Sequence, residues 1–192
     1  MPVRDWTRVD DGVFRDFRLS WLVEIKRSVQ RDLPLGYYAL HHKSPRSIAV
    51  YNAGDRIVAR IEVFLASKKS RSRTMHSMAR QVEATLDRGI HLLLIDLHQP
   101  GPRDPAGIHG LILGKIGPEE YQMPQDLLFT VAAYLGGATV EAFVDHFTVR
   151  QPIPSSSLFL TRDHYLAVDL DSAYLAAWEE VPEKFQQILS AS

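Results

Sequence analysis

The chain has no cysteine among its 192 residues. A disulfide framework, a thiolate metal site and a cysteine nucleophile are therefore excluded. No apolar run approaches the roughly 20 residues that a helix needs to cross a bilayer. Residues 1–6 also lack the apolar stretch of a secretory signal. We therefore expect a cytoplasmic protein with no membrane partner.

Three motifs that bind phosphate groups or provide a nucleophile are also missing. The chain contains no Gly-x-x-x-x-Gly-Lys-Ser/Thr, no Gly-x-Gly-x-x-Gly and no Gly-x-Ser-x-Gly. A nucleotide cofactor and serine-hydrolase chemistry therefore have no support. None of the eight histidines forms a His-x-x-x-His pattern. His98 and His109 could still converge with Asp104 on a metal or a proton-transfer site, or that loop could simply be a scaffold.

Charge is nearly balanced over the whole chain but uneven along it. The formal net charge of -1 argues against a wholly basic nucleic-acid binder. Residues 60–88 carry seven Lys or Arg against three acids, whereas residues 163–192 carry six acids and one lysine. The basic stretch could steer a polyanion, although a solvated surface explains it equally well. The apolar content of 45% is enough for one sizeable core, so we expect a single domain over residues 1–192.

Apolar spacing predicts helices and strands in alternation. A helix should begin at Asp10 or Asp11 and end by Leu33, because Leu33 precedes a proline. A second helix is expected over residues 72–88, ended by Gly89. Strands are expected at residues 37–42, 47–51, 56–65, 91–97, 111–113, 128–134, 140–149 and 165–168. A closing helix should be capped by Asp171 or Ser172.

The strand at residues 91–97 is almost continuously apolar, which is typical of a central strand covered on both faces. Asn52 to Asp55 supplies turn residues between two antiparallel strands. The order of elements therefore predicts an α/β (α+β) fold with a mixed β-sheet flanked by helices. No internal repeat or low-complexity tract interrupts it.

Six segments carry a resemblance to a known family. They are Asp-Trp-Thr-Arg-Val at 5–9, Leu-Pro-Leu-Gly-Tyr-Tyr-Ala-Leu at 33–40, Ile-Glu at 61–62, Gly-Ile-His-Leu-Leu-Leu-Ile-Asp-Leu at 89–97, Pro-Gly-Pro-Arg-Asp-Pro-Ala-Gly-Ile-His at 100–109, and Tyr-Leu-Ala-Ala-Trp-Glu at 174–179. In this order they resemble bacterial domain-of-unknown-function family four-zero-five-eight. The biochemical role of that family is not established.

The strand and helix order of that family is in turn similar to the Uma-type endonucleases of the restriction-endonuclease-like superfamily. The resemblance implies a restriction-endonuclease-like core with catalytic residues Glu62 and Lys69. Relatives usually carry a Pro-Asp on an earlier strand, and this chain has none between Leu40 and Ser47. Leu65, Ala66 and Lys68 also stand where Ser, Pro and Asn are expected. The chain therefore resembles a shortened and diverged member.

The glutamate inside the strand at residues 56–65 determines the functional interpretation. The resemblance implies that Glu62 holds Mg²⁺, and Asp96 is the best second ligand if the two strands are adjacent, although Asp96 could equally cap the following loop. Lys69 would then stabilise charge at the scissile phosphate. The alternative is a structural acid, paired with Arg60, Lys69 or a helix N-terminus.

A basic stripe follows on the second predicted helix. Arg73, His76 and Arg80 lie at i, i+3 and i+7, so they share one side of the helix and could contact a phosphate backbone. A plain polar helix face explains them equally well. The first hypothesis is a divergent metal-dependent nuclease that acts on phosphodiesters. The alternative is a catalytically inactive protein of the nuclease fold that serves as a binding or interaction module.

Overall fold

The computed structural model describes residues 3–42, 47–64, 71–97, 99–101, 105–116 and 121–191, without the side chains of residues 71–75 and 115. These residues form a mixed α/β structure. The described helices are a short 3-10 helix at Trp6–Arg8, α1 (Asp11–Asp32), α2 (Arg71–Leu86), α3 (Gly107–Ile116), α4 (Leu170–Trp178) and α5 (Glu183–Ser190). The strands are β1 (Tyr37–His42), β2 (Ser47–Asn52), β3 (Ile57–Phe64), β4 (His91–Asp96), β5 (Phe129–Leu135), β6 (Glu141–Phe147), β7 (Ser156–Phe159) and β8 (Tyr165–Val168).

Helix α1 begins and ends as its sequence predicts. Asp10 is its N-cap and accepts a hydrogen bond from the Gly12 backbone N–H. Leu33 is its C-cap, and the residue after Leu33 is a proline. Its buried residues recur every three or four positions, which is the period of an amphipathic helix. The buried residues are Phe14, Phe17, Trp21, Leu22, Ile25 and Val29.

A six-stranded mixed sheet follows the order β1-β2-β3-β4-β5-β6. All neighbours are antiparallel except β3 and β4, which are parallel and are connected through α2. All six residues of β4 are buried, which confirms the prediction of a central strand. Strands β7 and β8 form a separate antiparallel pair.

Each face of the sheet has its own apolar cluster. The α1 face is the side covered by α1, α4 and the β7–β8 pair, and its cluster includes Trp21, Ile61 and Tyr174. The α2 face is the side covered by α2 and α3, and its cluster includes Val82 and Ile112. Since neighbouring residues of a strand point to opposite faces, each strand contributes to both clusters.

The strand predicted at residues 111–113 is wrong, because this segment lies inside α3. Gly107 has a φ of +61°, which lets the chain turn into the helix. Ile108 and Ile112 lie one helical turn apart and are both buried. A short apolar run has no periodicity that separates a strand from a buried helix, so only packing against α2 decides its conformation.

The closing segment is two helices rather than one. Asp169 caps α4 through the Ser172 backbone N–H, so neither Asp171 nor Ser172 has the predicted capping role. Pro182 is the N-cap of α5, because its fixed φ suits a helix start and its ring cannot continue the previous helix. None of the helices in the described ranges combines the length and the apolar character needed to cross a bilayer.

Candidate functional site

The α2 face brings the two predicted metal ligands onto one side of the sheet. Strands β3 and β4 are adjacent, which confirms the arrangement that the Glu62–Asp96 hypothesis required. Glu62 is in register with Leu94, and Phe64 is in register with Asp96. Residues in register point to the same face, so Glu62 and Asp96 lie on one face of two adjacent strands. Asp96 is two positions beyond Leu94, the residue opposite Glu62.

Glu62 forms an ion pair with an arginine of its own strand. Its Oε1 lies 2.6 Å from the Nη2 of Arg60, and the two side chains are only 13% and 15% exposed. Arg60 also donates to the Ser47 hydroxyl at 3.4 Å and to the Thr85 hydroxyl at 3.5 Å. Because Arg60 also hydrogen-bonds residues of β2 and α2, its positive charge is fixed beside the Glu62 carboxylate.

The strand next to Glu62 supplies no acid at the matching position. Ser47 of β2 lies directly across from Glu62, and its hydroxyl donates to the His42 carbonyl at 3.3 Å. Asp96, the other predicted ligand, is only 3% exposed. Among the described residues no group of three or more histidines and acids could hold a metal ion. Mg²⁺ keeps several waters and requires accessible carboxylate oxygens, so this arrangement does not fit a preformed Mg²⁺ site.

The remaining predicted site residues lie on or just before α2. Lys69 lies outside the described residues, and for Arg73 only the helical backbone is described. His76 and Arg80 are exposed and lie one helical turn apart, so they occupy one side of α2. The structure therefore places two of the three residues of the predicted basic stripe at an accessible surface.

An aromatic pair, which sequence reasoning missed, lies on the same face of the sheet. The rings of Tyr38 and Tyr51 stack with centroids 5.1 Å apart and planes within 6°. Strand alternation puts them on the side of Ser47 and Glu62, where Leu40 is 48% exposed. Alternation in β1 and β2, combined with the hairpin register, was the signal that could have found this pair.

A buried histidine and tyrosine connect α3 to β5. His109 Nδ1 lies 2.5 Å from the Tyr134 hydroxyl oxygen. Burial lowers the pKa of His109 to about 4, and the nearby His146 acts in the same direction. Burial also raises the pKa of Tyr134 well above its ordinary value. Near neutral pH both groups are therefore uncharged. His98 and Asp104, the predicted partners of His109, lie outside the described residues.

A second histidine and tyrosine lie beside the first pair. The Tyr121 hydroxyl is 2.6 Å from His146 Nε2, and the Thr130 hydroxyl is 3.2 Å from His146 Nδ1. Burial raises the pKa of Tyr121 to about 12 and lowers the pKa of His146. Since both ring nitrogens of His146 have partners, the arrangement is that of a satisfied polar network which holds β6 against β5 and against Tyr121, a residue that follows α3.

Comparisons of this chain with protein-family models, with curated proteins and with solved structures found no match. The geometry of the α2 face is therefore the basis for a functional proposal. Two features stand out on that face: the ion-paired Glu62, and the stacked, half-buried rings of Tyr38 and Tyr51, where the Tyr38 hydroxyl donates to Asp55 at 2.7 Å.

Proposed function

We propose that the protein is a non-catalytic binding module built on a restriction-endonuclease-like core, and that its α2 face binds a nucleic acid. The observation that carries this proposal is the 2.6 Å ion pair between Arg60 and Glu62, with Ser47 opposite. A metal-dependent nuclease needs its carboxylates to bind the ion. Here Arg60, which is held by Glu62, Ser47 and Thr85, lies beside the carboxylate where a metal ion would be bound.

The order of elements supports a core of this type. Helix α1 precedes the antiparallel strands β1, β2 and β3, and α2 then leads to β4, which is parallel to β3. This agrees with the strand, strand, helix, strand order that underlies the resemblance to the restriction-endonuclease-like superfamily. On this proposal the chain keeps the scaffold and has replaced the catalytic acid pair with an internal ion pair.

The accessible part of the α2 face supports a nucleic-acid ligand. Arg80 and His76 are exposed on α2, in the stretch of residues 60–88 where basic residues exceed acids. Stacked Tyr38 and Tyr51 rings provide a surface for an unpaired base. Stacking of a base on an aromatic ring contributes about 1–3 kcal/mol and tolerates any sequence. Because the net charge of the chain is only -1, attraction to phosphate groups would come from this basic stretch alone and would weaken as the salt concentration rises.

Single-stranded DNA should bind the wild-type protein, and Tyr51→Ala should weaken that binding by about 5- to 100-fold because a stacking surface is lost. The measurement is fluorescence anisotropy of a labelled oligonucleotide over a range of salt concentrations. Tyr165→Ala is the matched control, because Tyr165 is exposed but lies on β8, in the strand pair on the α1 face. Arg80→Gln should reduce the slope of log affinity against log salt by about 1.

The catalytic alternative is tested in the same preparations by titrating Mg²⁺ and Mn²⁺ in a calorimeter and assaying DNA cleavage. We expect neither saturable metal binding nor cleavage. Metal binding and cleavage that both disappear in Glu62→Ala would overturn the non-catalytic proposal and favour a nuclease that uses Glu62, Asp96 and Lys69. Equal DNA affinities for Tyr51→Ala and Tyr165→Ala would instead overturn the proposed binding surface.

A further inference from the structure

A groove rich in arginine lies on the other side of the molecule from Glu62. It has a volume of 440 Å³ and forms where the N-terminal segment, the turn after β6 and the end of α5 meet. Three arginines line it, Arg4, Arg8 and Arg150, together with one acid, Asp5. Its apolar walls include Val3, Val149 and Leu189, which belong to or pack on the cluster of the α1 face.

Backbone pairing holds this groove together. The Val3 N–H donates to the Gln151 carbonyl at 2.9 Å, and the Arg150 N–H donates to the Val3 carbonyl at 2.9 Å. The Arg8 guanidinium donates to the Ala191 carbonyl. Three segments that are far apart in sequence are therefore held at the same site by hydrogen bonds, and the arginines of two of them lie around one opening.

Positive charge in the groove exceeds negative charge. Asp5 is already engaged, because it accepts hydrogen bonds from the Thr7 backbone N–H at 3.0 Å and from the Thr7 hydroxyl at 2.7 Å. The Arg4 guanidinium lies 5.1 Å from the centre of the Trp178 ring. Its Nε is buried and has no hydrogen-bond partner in the described part of the chain. The groove therefore carries three arginines against one acid that is already hydrogen-bonded.

Arg150 has an unusual backbone conformation. Its φ is +72°, in the left-handed region that glycine adopts without strain and that an arginine enters at a cost. Its side chain is exposed, and across the described ranges it forms no ion pair. Residues in such strained conformations are concentrated at functional sites, so this conformation supports a role for the Arg150 guanidinium.

We propose that this groove binds the phosphoryl group of a small phosphorylated molecule. A phosphomonoester carries about -1.5 to -2 charges and three acceptor oxygens, whereas a carboxylate has one charge and two oxygens. The forked guanidinium groups of three arginines match the larger number of acceptors. Small-molecule sites typically have volumes of about 300–1,000 Å³, so 440 Å³ leaves room for an organic body against Val3, Val149 and Leu189.

The test uses inorganic phosphate and pyrophosphate as probes, at low ionic strength, because exposed charges are screened by salt. Binding is followed by calorimetry and by the intrinsic fluorescence of the three tryptophans, one of which, Trp178, lies beside Arg4. Arg150→Gly removes one guanidinium and places glycine at a φ that suits it, so folding should be preserved. We expect its pyrophosphate affinity to be at least about tenfold weaker than that of the wild type.

Arg8→Gln is the second variant, and Arg56→Gln is the matched control because Arg56 is exposed in the turn between β2 and β3. The inference holds if Arg150→Gly and Arg8→Gln both weaken pyrophosphate binding while Arg56→Gln does not. It is overturned if the wild type shows no saturable binding, if Arg150→Gly and Arg56→Gln bind equally, or if citrate binds as tightly as pyrophosphate. Tyr51→Ala should leave pyrophosphate binding unchanged, which separates this site from the nucleic-acid surface.

Discussion

Replacing Gly136 with alanine is expected to lower the free energy of unfolding by about 3 kcal/mol, at the upper end for overpacked sites. A Cβ at this position would lie 2.6 Å from the Ile90 carbonyl oxygen and 2.9 Å from the Leu86 carbonyl oxygen. Both contacts are with backbone atoms, which cannot rotate away. The Gly136 N–H also donates to His91 Nδ1 at 3.1 Å, so moving this turn would break a buried hydrogen bond.

The measurement is urea denaturation of the variant and the wild type, with Gly114→Ala as the control. A Cβ at Gly114 would meet nothing within 4 Å, and Gly114 lies inside α3. Alanine is the better helix former, so Gly114→Ala should stabilise the protein by about 0.5–1 kcal/mol. Equal stabilities for Gly136→Ala and the wild type would show that the β5–β6 turn can move away from the connection between α2 and β4.

Acidification from pH 6.5 to pH 4 is expected to reduce the free energy of unfolding by about 3 kcal/mol through His109 alone. The ordinary pKa of 6.5 applies in the unfolded chain, whereas burial lowers the pKa to about 4 in the folded protein. The unfolded chain therefore binds a proton first as the pH falls. The stabilisation is complete above pH 6.5 and is lost progressively toward pH 4.

The check is urea denaturation at a series of pH values for the wild type and His109→Gln. Glutamine can still hydrogen-bond the Tyr134 hydroxyl but does not titrate, so its stability should depend less on pH in this window. Burial also lowers the pKa of His41, His91 and His146, so part of the acid sensitivity should persist in the variant. Identical pH profiles for the two proteins would contradict the assignment to His109.

Elements whose periodicity runs over many residues were predictable. The 22 residues of α1 repeat the helical period several times, and the cap at Asp10 and the proline after Leu33 mark its ends. The continuous apolar run of β4 predicted its central place, and Gly89 has the left-handed φ of +74° that a helix end requires. The position of Glu62 on a strand was also predictable, whereas the pairing of that strand with the strand of Asp96 was only a condition of the metal hypothesis and was supplied by the structure.

Segments with few repeats were not predictable. The apolar run at residues 111–113 fits a strand and a helix equally, and its packing on α2 decides for the helix. The single closing helix was also wrong, although here the sequence did contain the signal: Pro182 cannot continue a helix and divides the segment into α4 and α5. Only the run at residues 111–113 was too short for its pattern to exclude the alternative.

By itself, the amino-acid sequence determined the mixed α/β class, the order of most elements and the strand on which Glu62 lies. The tertiary structure alone decided which groups surround that carboxylate: Arg60 neutralises it, and Ser47 stands opposite. It also decided the pairing of His109 with Tyr134 and the placement of Arg4 and Arg150 around one groove. The physical reason is how far apart in sequence the interacting residues lie. Helix and strand patterns depend on neighbours within a few residues, whereas charge compensation and buried hydrogen bonds depend on segments that only packing brings together.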